Sequence, residues 1–600
     1  MGSSMPPRGR TSMGEHGSIL PLPRLQLTLE LTLELHRVLA EATGALVHRL
    51  QDAAGEVLAT LGIPGVVEVD VLAWSDPPAG DLRFLRIRAG GVPCPFPEDL
   101  VPRVHGLATG VVPGTEPGVE GVRRWLASVL AGEGEGAPQD PREQGIAFLT
   151  HLVAEALRRQ PALLVGPAQA EAYLASLQAA RQRPDGSPPA LPDLRVLHGM
   201  LRRVVAQGIS LAPHARVAEL LTAGAQAGTP ADDLAEELIA ELRPDEVQIL
   251  LPVAYLREIT LEEEVGGEEE ERVFSLLRDG MFYETGLAFS RFRFVPTESL
   301  PDGTFSFRVN HLPTLPRVGL RGGERLVAGA PEAGGEGREV LNPANLNPCT
   351  LYNAQAAEAV GTRGLVGGAV WGPLGFLVLC ISTELRERSG AFVDSVGVEG
   401  ALNSLATVFP APVEAVRRRY PLSLVTRVLR RLADGRVSLR NLRRILEAML
   451  DFDYVVVDAA NLIVFDPRLP TANPPTEEGL RDPARIAAFV RTDLKRAISH
   501  QHTRGQATLV VYLLEPEAER VLAGGEATGV WQERFLQAVR EEVRKSPPAA
   551  QHPALLTTVE ASGLLRELVA TEFPRLPVLA YQELAPELNI QPIARITLEE

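Results

Sequence analysis

The chain has 600 residues, 45% of them hydrophobic and 22% charged, with 59 Lys and Arg against 76 Asp and Glu and a net charge of −17. That length holds roughly three to five domains, and that charge argues against nucleic acid as the main partner and against docking on anionic lipid by charge alone. Cys94, Cys349 and Cys380 are far apart and make neither a disulfide framework nor a CxxC metal site, which indicates a reducing compartment.

Residues 1–26 are polar and rich in Gly, Ser and Pro, without the apolar core of a signal peptide, and are expected to form a disordered leader. Residues 25–61 read as helical, with Leu35, Val38, Leu39, Leu46, Leu50, Val57, Leu58 and Leu61 at threes and fours. Stretches 66–74 and 81–89 read as strands, and a Gly/Pro-rich stretch runs on to about 120. Helical period returns at 121–131, 145–159 and 194–223, separated by Pro/Gly-rich linkers at 132–141 and 181–192. Residues 247–256 read as a strand, followed by an acidic run, a helix over 273–286, strands in 288–296 and 304–312, and a Gly-rich loop at 321–338. Gly364–Thr383 is uncharged for about the length of a membrane span, but its five glycines and Pro373 favour buried strands, or a strand and a turn, about Gly372-Pro373. Residues 453–466 read as a strand pair, and 506–596 alternate strand and helix as a βαβαβ module with a mainly parallel sheet.

One segment occurs twice. In 424–449, two amphipathic helices flank a break at Asp434-Gly435, with Ser438 as the expected N-cap. A shift of 228 positions, without a gap, places Leu201-Arg202-Arg203 on Leu429-Arg430-Arg431 and Ser210-Leu211 on Ser438-Leu439. A spacing far longer than a solenoid period indicates domain duplication. The expected fold class is multidomain α/β and α+β: α/β layers carrying helix-turn-helix subdomains, with a C-terminal βαβαβ module. There is no GxxxxGK[ST], HExxH, GxSxG or EF-hand loop. Asp453 and Asp458 differ by an odd step and face opposite sides of a strand. No catalytic residue, metal ligand or cofactor site is expected, and a binding or assembly role follows by elimination.

VSLRNLRRILEAMLDF (437–452), LPVLAYQELAPELNIQPIARI (576–596), LVVYLLEPEAERVL (509–522) and WGPLGFLVLCISTELRERSGAFVD (371–394) resemble, in order, segments of the FHIPEP family, the export-gate proteins of flagellar and virulence type III secretion. The likeness is to the family's cytosolic region. In the first half, 147–174 resembles the family's ATHL segment through Thr150 and His151, and Ala401 and Leu402 stand in those places in the second half. The resemblance implies a degenerate double copy: a truncated first half (27–245), second-half α/β subdomains (246–395), a helical subdomain with a strand-pair insertion (396–500) and a C-terminal α/β subdomain (501–600). It also implies a cytoplasmic protein of the export pathway, peripheral at the inner membrane through a secretion complex. The implied partners are export chaperones, cargo proteins or export-apparatus components, with no nucleic acid and the oligomeric state open. The protein-binding groove it implies is lined by Trp371, Leu374 and Phe376, or by Trp125, Thr150 and His151 in the first copy. Family members begin with membrane helices, which this chain lacks, and an acidic residue usual before the family Phe is absent. A helix-turn-helix transcriptional regulator reading DNA through Arg440, Asn441 and Arg444, an enzyme built on the C-terminal module, and a divergent scaffold without export function stay open as alternatives.

Overall fold

The computed structural model describes residues 22–74, 84–97, 99–110, 119–132, 140–180, 191–262, 268–329, 337–345, 347–353, 355–356, 369–452, 456–457, 463–464, 482–503, 505–545 and 553–598. The expected leader thus lies outside the described residues up to position 21, as do most of both linkers and of the 453–466 pair, where two-residue strands at Val456–Val457 and Ile463–Val464 pair antiparallel.

The first copy starts with a strand where the periodicity predicts helix. β1 (Arg24–Thr32) buries Leu25, Leu27, Leu29 and Leu31 on one face while the residues between them stay outside. This is a period of two, and it runs directly into the period of α1 (Leu33–Leu39) and α2 (Thr43–Leu61). β2 (Val66–Trp74), β3 (Leu85–Ala89) and β4 (Val92–Pro93) complete a sheet of order β2-β1-β3-β4, parallel between β1 and β2 and antiparallel elsewhere. α3 (Leu100–Thr109), α4 (Val119–Leu130), α5 (Pro141–Arg159), α6 (Pro167–Ala180), α7 (Leu194–Ala206), α8 (His214–Ala227) and α9 (Ala231–Leu242) follow. α3 falls within the Gly/Pro-rich stretch that runs on to about 120; its apolar Leu100, Val101 and Val104 are buried.

The second copy repeats this order. β5 (Glu246–Leu251), α10 (Val253–Glu262), α11 (Glu268–Thr285), β6 (Arg291–Pro296), β7 (Thr304–Val309) and β8 (Leu312–Pro313) form the sheet β6-β5-β7-β8, with the same parallel and antiparallel pairings. The expected strand over 247–256 stops at Leu251, because Pro252 leads into α10. β9 (Arg317–Val318) pairs with β7, and β10 (Glu324–Ala328), β11 (Arg338–Leu341), β12 (Pro348–Asn353) and β13 (Val370–Trp371) form an inserted antiparallel sheet. α12 (Pro373–Glu387), α13 (Ser395–Ala406), α14 (Pro410–Arg419), α15 (Leu422–Asp434), α16 (Leu442–Asp451), α17 (Pro483–Asp493) and α18 (Lys495–Thr503) complete the copy. α5, α6, α7 and α8 map on α12, α13, α15 and α16 at the spacing of 228, so the duplicated helix-turn-helix reading of 194–223 and 422–451 is what the structure shows.

Within Gly364–Thr383 only 369–383 is described, and after the short strand at Val370–Trp371 it departs from expectation. Gly372-Pro373 is not a turn between strands: Gly372 caps α12 in an extended conformation and Pro373 takes its first turn, where its missing N–H costs nothing. Periodicity cannot separate a helix that leaves no residue exposed from buried strands. Among the described residues no helix is long and apolar enough to cross a membrane.

Each helix pair is fixed to its α/β layer by one glycine. Gly62 ends α2 and Gly286 follows α11, at φ +67° and +75°. A Cβ on Gly62 would lie 2.2 Å from the Ala212 backbone nitrogen, and one on Gly286 the same distance from that of Arg440. Beside each contact a backbone bond forms: Leu211 N–H donates to the Leu61 carbonyl (2.8 Å) and Leu439 N–H to the Thr285 carbonyl (2.7 Å).

The two copies share a seam. The β7–β8 turn enters the first copy, with Asn310 Nδ2 donating to the Gln207 carbonyl (2.6 Å), His311 N–H donating to the Gly208 carbonyl (3.0 Å) and Ser210 N–H donating to His311 Nδ1 (3.1 Å). Leu312 and Leu315 belong to the first copy's core. On the far side, buried Arg430 of α15 makes two bonds to Glu236 of α9, at 2.8 and 2.7 Å. Glu384 of α12 accepts from Arg317 (2.9 Å) and Arg388 (2.6 Å). Burial alone would raise its pKa, but Arg388, Arg317 and the first copy's Arg159 and Arg103 hold it at about 2.

The C-terminal module is a parallel sheet in the order β18-β17-β16-β19, from β16 (Thr508–Leu514), β17 (Ala554–Thr557), β18 (Val578–Ala580) and β19 (Asn589–Ile596), as its alternation predicts. α19 (Pro516–Gly524), α20 (Gly529–Lys545) and α21 (Val559–Glu572) connect the strands. One face, with Val511, Leu556 and Leu579, joins the second copy's core. Glu583 is clamped there by Arg491 of α17 at 2.9 Å through both oxygens and by Arg566.

Two predictions follow from these contacts. Gly286→Ala and Gly62→Ala should each lower unfolding stability by more than about 1 kcal/mol, since both require a positive φ and a displaced backbone; urea titration of the two variants measures this. Glu384→Gln should cost about 3–5 kcal/mol at pH 7, because buried guanidinium groups lose their counter-charge. The folded pKa of Glu384 is depressed, so its stabilisation is complete above the ordinary value of 4.5 and is lost as pH falls toward about 2. Unfolding free energies between pH 2 and 7 should show that acid limb in the wild type and a shallower one in Glu384→Gln.

Candidate docking surface

The six residues expected to line a groove belong to two separate cores. Trp125 on α4 is half-buried in the first copy, with the His105 ring edge-on at 4.5 Å and Phe148 at 5.6 Å. Burial lowers the His105 pKa, so the ring is neutral at pH 7. Thr150 and His151 lie on α5, and the Thr150 hydroxyl donates to the Ile146 carbonyl at 2.8 Å. Burial, then Arg158 and Arg49, lowers the His151 pKa. At the spacing of 228, Thr150 and His151 map on Val378 and Leu379 of α12, not on Ala401 and Leu402 of α13. The pairing expected from the resemblance is therefore corrected: helix order, not the short ATHL likeness, fixes the correspondence.

In the second copy Leu374 and Phe376 are 2% and 3% exposed. Phe376 meets the Phe305 ring at 6.5 Å, and Leu374 belongs to the same core. They cannot line an open groove, because the buried helix α12 carries both. Trp371 is half-buried on the edge strand β13, opposite Leu326. The residues that a DNA-reading helix would need are also engaged. The Asn441 side chain accepts from Arg444 N–H (3.3 Å) to cap α16, and Arg444 pairs with Asp493 at 2.5 Å.

The exposed apolar surface lies elsewhere. On α11, Leu276 is 64%, Phe282 46% and Tyr283 63% exposed. Phe282 and Tyr283 sit edge to face at 6.2 Å, and the Arg440 guanidinium stands over the Tyr283 ring at 5.0 Å. Arg440 is held there by the turn that Gly286 admits. Three residues on, Arg443 covers the Phe409 ring at 4.4 Å, beside exposed Val408. At the matching positions of the first copy no such surface forms among the described residues: counting back from the two glycines, Asp52, Leu58 and Ala59 stand for Leu276, Phe282 and Tyr283, Ala212 stands for Arg440 at the spacing of 228, and Leu58 is buried. Sequence reasoning missed the site although Phe282-Tyr283 stands just before the glycine that follows the helix; a helix's outer face is known only once its inner face is placed. Among the described residues no three His, Cys, Asp or Glu side chains gather in a metal-binding group.

A duplicated α/β layer with helix-turn-helix extensions, and an exposed aromatic–arginine surface on the second copy, define a multidomain α/β protein. The chain belongs to the FHIPEP family, whose profile matches residues 189–589. It is 27% identical over 228 residues to low calcium response locus protein D of Yersinia pestis, covering 36% of this chain and 29% of that protein. It is 22% identical over 353 residues to flagellar biosynthesis protein FlhA of Treponema pallidum, covering 57% of this chain and 46% of that one. The chain thus spans less than half the length of these relatives. Among solved structures, the Chlamydia pneumoniae CdsV protein aligns with a TM-score of 0.47 at 22% identity, over 58% of this chain and 97% of that one. A structure of a CdsV and CdsO complex aligns equally well.

Leu374→Asp should collapse the second copy, with a loss above about 4 kcal/mol from an unpaired charge in an apolar core; the apparent melting temperature of the variant measures it.

Proposed function

We propose that this chain takes part in type III protein export by docking export-apparatus components or chaperone–cargo complexes, as a non-enzymatic binding protein. The observation that carries the reading is the Leu276–Phe282–Tyr283–Arg440 surface. Large exposed aromatics beside an arginine are the composition of interface hot spots. Membership of the FHIPEP family supplies the export setting. The second copy is the docking copy in this reading, because the first has Ala59 and Ala212 in the places of Tyr283 and Arg440.

The test is Tyr283→Ala and Arg440→Glu, alone and together, against purified chaperone–cargo complexes and soluble export-apparatus components. Each single variant should hold unfolding stability within about 0.5 kcal/mol, since the side chains are outside the core. Affinity for the true partner should fall about tenfold or more, as at a hot spot. Unchanged affinity in the double variant overturns the reading at this surface. Calorimetric titration gives the affinities, and urea titration of the same samples gives the stabilities.

A further inference from the structure

The C-terminal module is joined to the two copies in unlike ways. With the second copy it shares a hydrophobic core that includes Leu509, Val511, Ala554 and Leu584, and a buried Arg491–Glu583 pair. With the first copy it shares no apolar cluster among the described residues: the first core ends at Leu315, and the module's outer core begins at Tyr512. Yet the module reaches the first copy. Glu533 of α20 stands between Arg86 and Arg88 of β3, at 3.6 and 3.5 Å. Glu30 of β1 neutralises the same two arginines from the sheet side, at 3.8 and 3.2 Å. Arg86 also lies 4.0 Å over the Trp74 ring, and Trp74 is 5% exposed. The side chains of Glu533, Arg86 and Arg88 are 25%, 20% and 29% exposed, so solvent and salt reach them.

We propose that Glu533 with Arg86 and Arg88 forms an ionic latch that closes the C-terminal module onto the outer face of the first copy's sheet. The latch completes a ring of contacts: the first copy to the second through Arg430–Glu236, the second copy to the module through their shared core, and the module back to the first copy through Glu533. Two of these links are buried, and the third is made of partly exposed charges. Such pairs are weak one by one and are screened as ionic strength rises, with a Debye length near 10 Å at 0.1 M salt and about 3 Å at 1 M. The third link therefore opens first. Opening uncovers the face bearing Trp74, Arg86 and Arg88 and leaves the three cores intact, because no residue of the latch belongs to the module's outer core. The sequence holds no sign of the device, since its partners are more than 400 residues apart and each lies in an unremarkable charged stretch. The inference does not rest on the proposed docking surface.

The test measures the distance across the latch in the full chain. Leu72 of β2 and Val530 of α20 are exposed at 48% and 74%, beside the latch but outside it. Leu72→Cys and Val530→Cys carry spin labels, while the native Cys94, Cys349 and Cys380 are buried. In 0.05 M salt the label pair should show one short distance. That population should fall about fivefold in Glu533→Lys, and again in wild type at 1 M salt, the ratio that partly exposed ion pairs carry. Glu526→Lys makes the same change of net charge on an exposed residue outside the latch and should leave the distance unchanged. Arg88→Ala should open the latch and add little to Glu533→Lys. A short distance that persists in Glu533→Lys overturns the proposal. So does equal opening in Glu526→Lys, which would assign the effect to overall charge, and so does a melting transition of the module lost in Glu533→Lys.

Discussion

The structure depends on the closeness of one glycine to one turn, used twice. At Gly62 and at Gly286 the backbone turns with a positive φ, and the helix pair comes within the distance a Cβ would need. Without that approach Leu211 and Leu439 could not donate to the carbonyls of the preceding helix ends, and each helix pair would lose its angle to its sheet. Everything further out inherits the angle. It sets Ser210 against His311 at the seam, and it sets Arg440 over Tyr283 on the exposed face. A backbone contact tolerates drift in the side chains around it, which is why two copies with little residue identity keep one architecture.

The copies then diverge by what covers them. Arg430 is the counterpart of Arg202, yet Arg430 is buried against Glu236 while Arg202 is exposed. The first copy has become the packing partner of the second. A buried, doubly bonded ion pair adds little net stability over an apolar contact. Its geometry does fix how the two copies meet, since removing either partner strands a buried charge. The cluster about Glu384 follows the same rule on the other side of the seam. The second copy has one face pressed on the first, another fused to the C-terminal module, and the α11 face left in solvent. That remaining face carries the aromatic residues.

Family membership and surface chemistry bear on different questions. The FHIPEP profile covers the second copy, most of the C-terminal module and the first copy's helix pair. It speaks to ancestry and setting. The α11 surface and the proposed latch at Glu533 concern this chain's own arrangement, in which Glu533 of the module meets Arg86 and Arg88 of the first copy.

The sequence by itself determined the duplication, the parallel C-terminal module, the helix-turn-helix pairs and the family. These are local or repetitive signals: periodicity, an unbroken spacing of 228, and ordered motifs. It failed where two periods meet or where burial is two-sided. β1 was hidden because Leu25 to Leu31 alternate directly before a helical run, and α12 because even its half-buried side, with Gly375, Val378 and Leu379, is apolar. The candidate site failed for a further reason. Leu374 and Phe376 are the same letters as Leu276 and Phe282, and only packing sends the first pair inside and leaves the second in water. Which apolar residue is exposed, and which charge meets a partner hundreds of residues away, are properties of the assembled copies. Only the tertiary structure decides them, because exposure depends on what the rest of the chain has already covered.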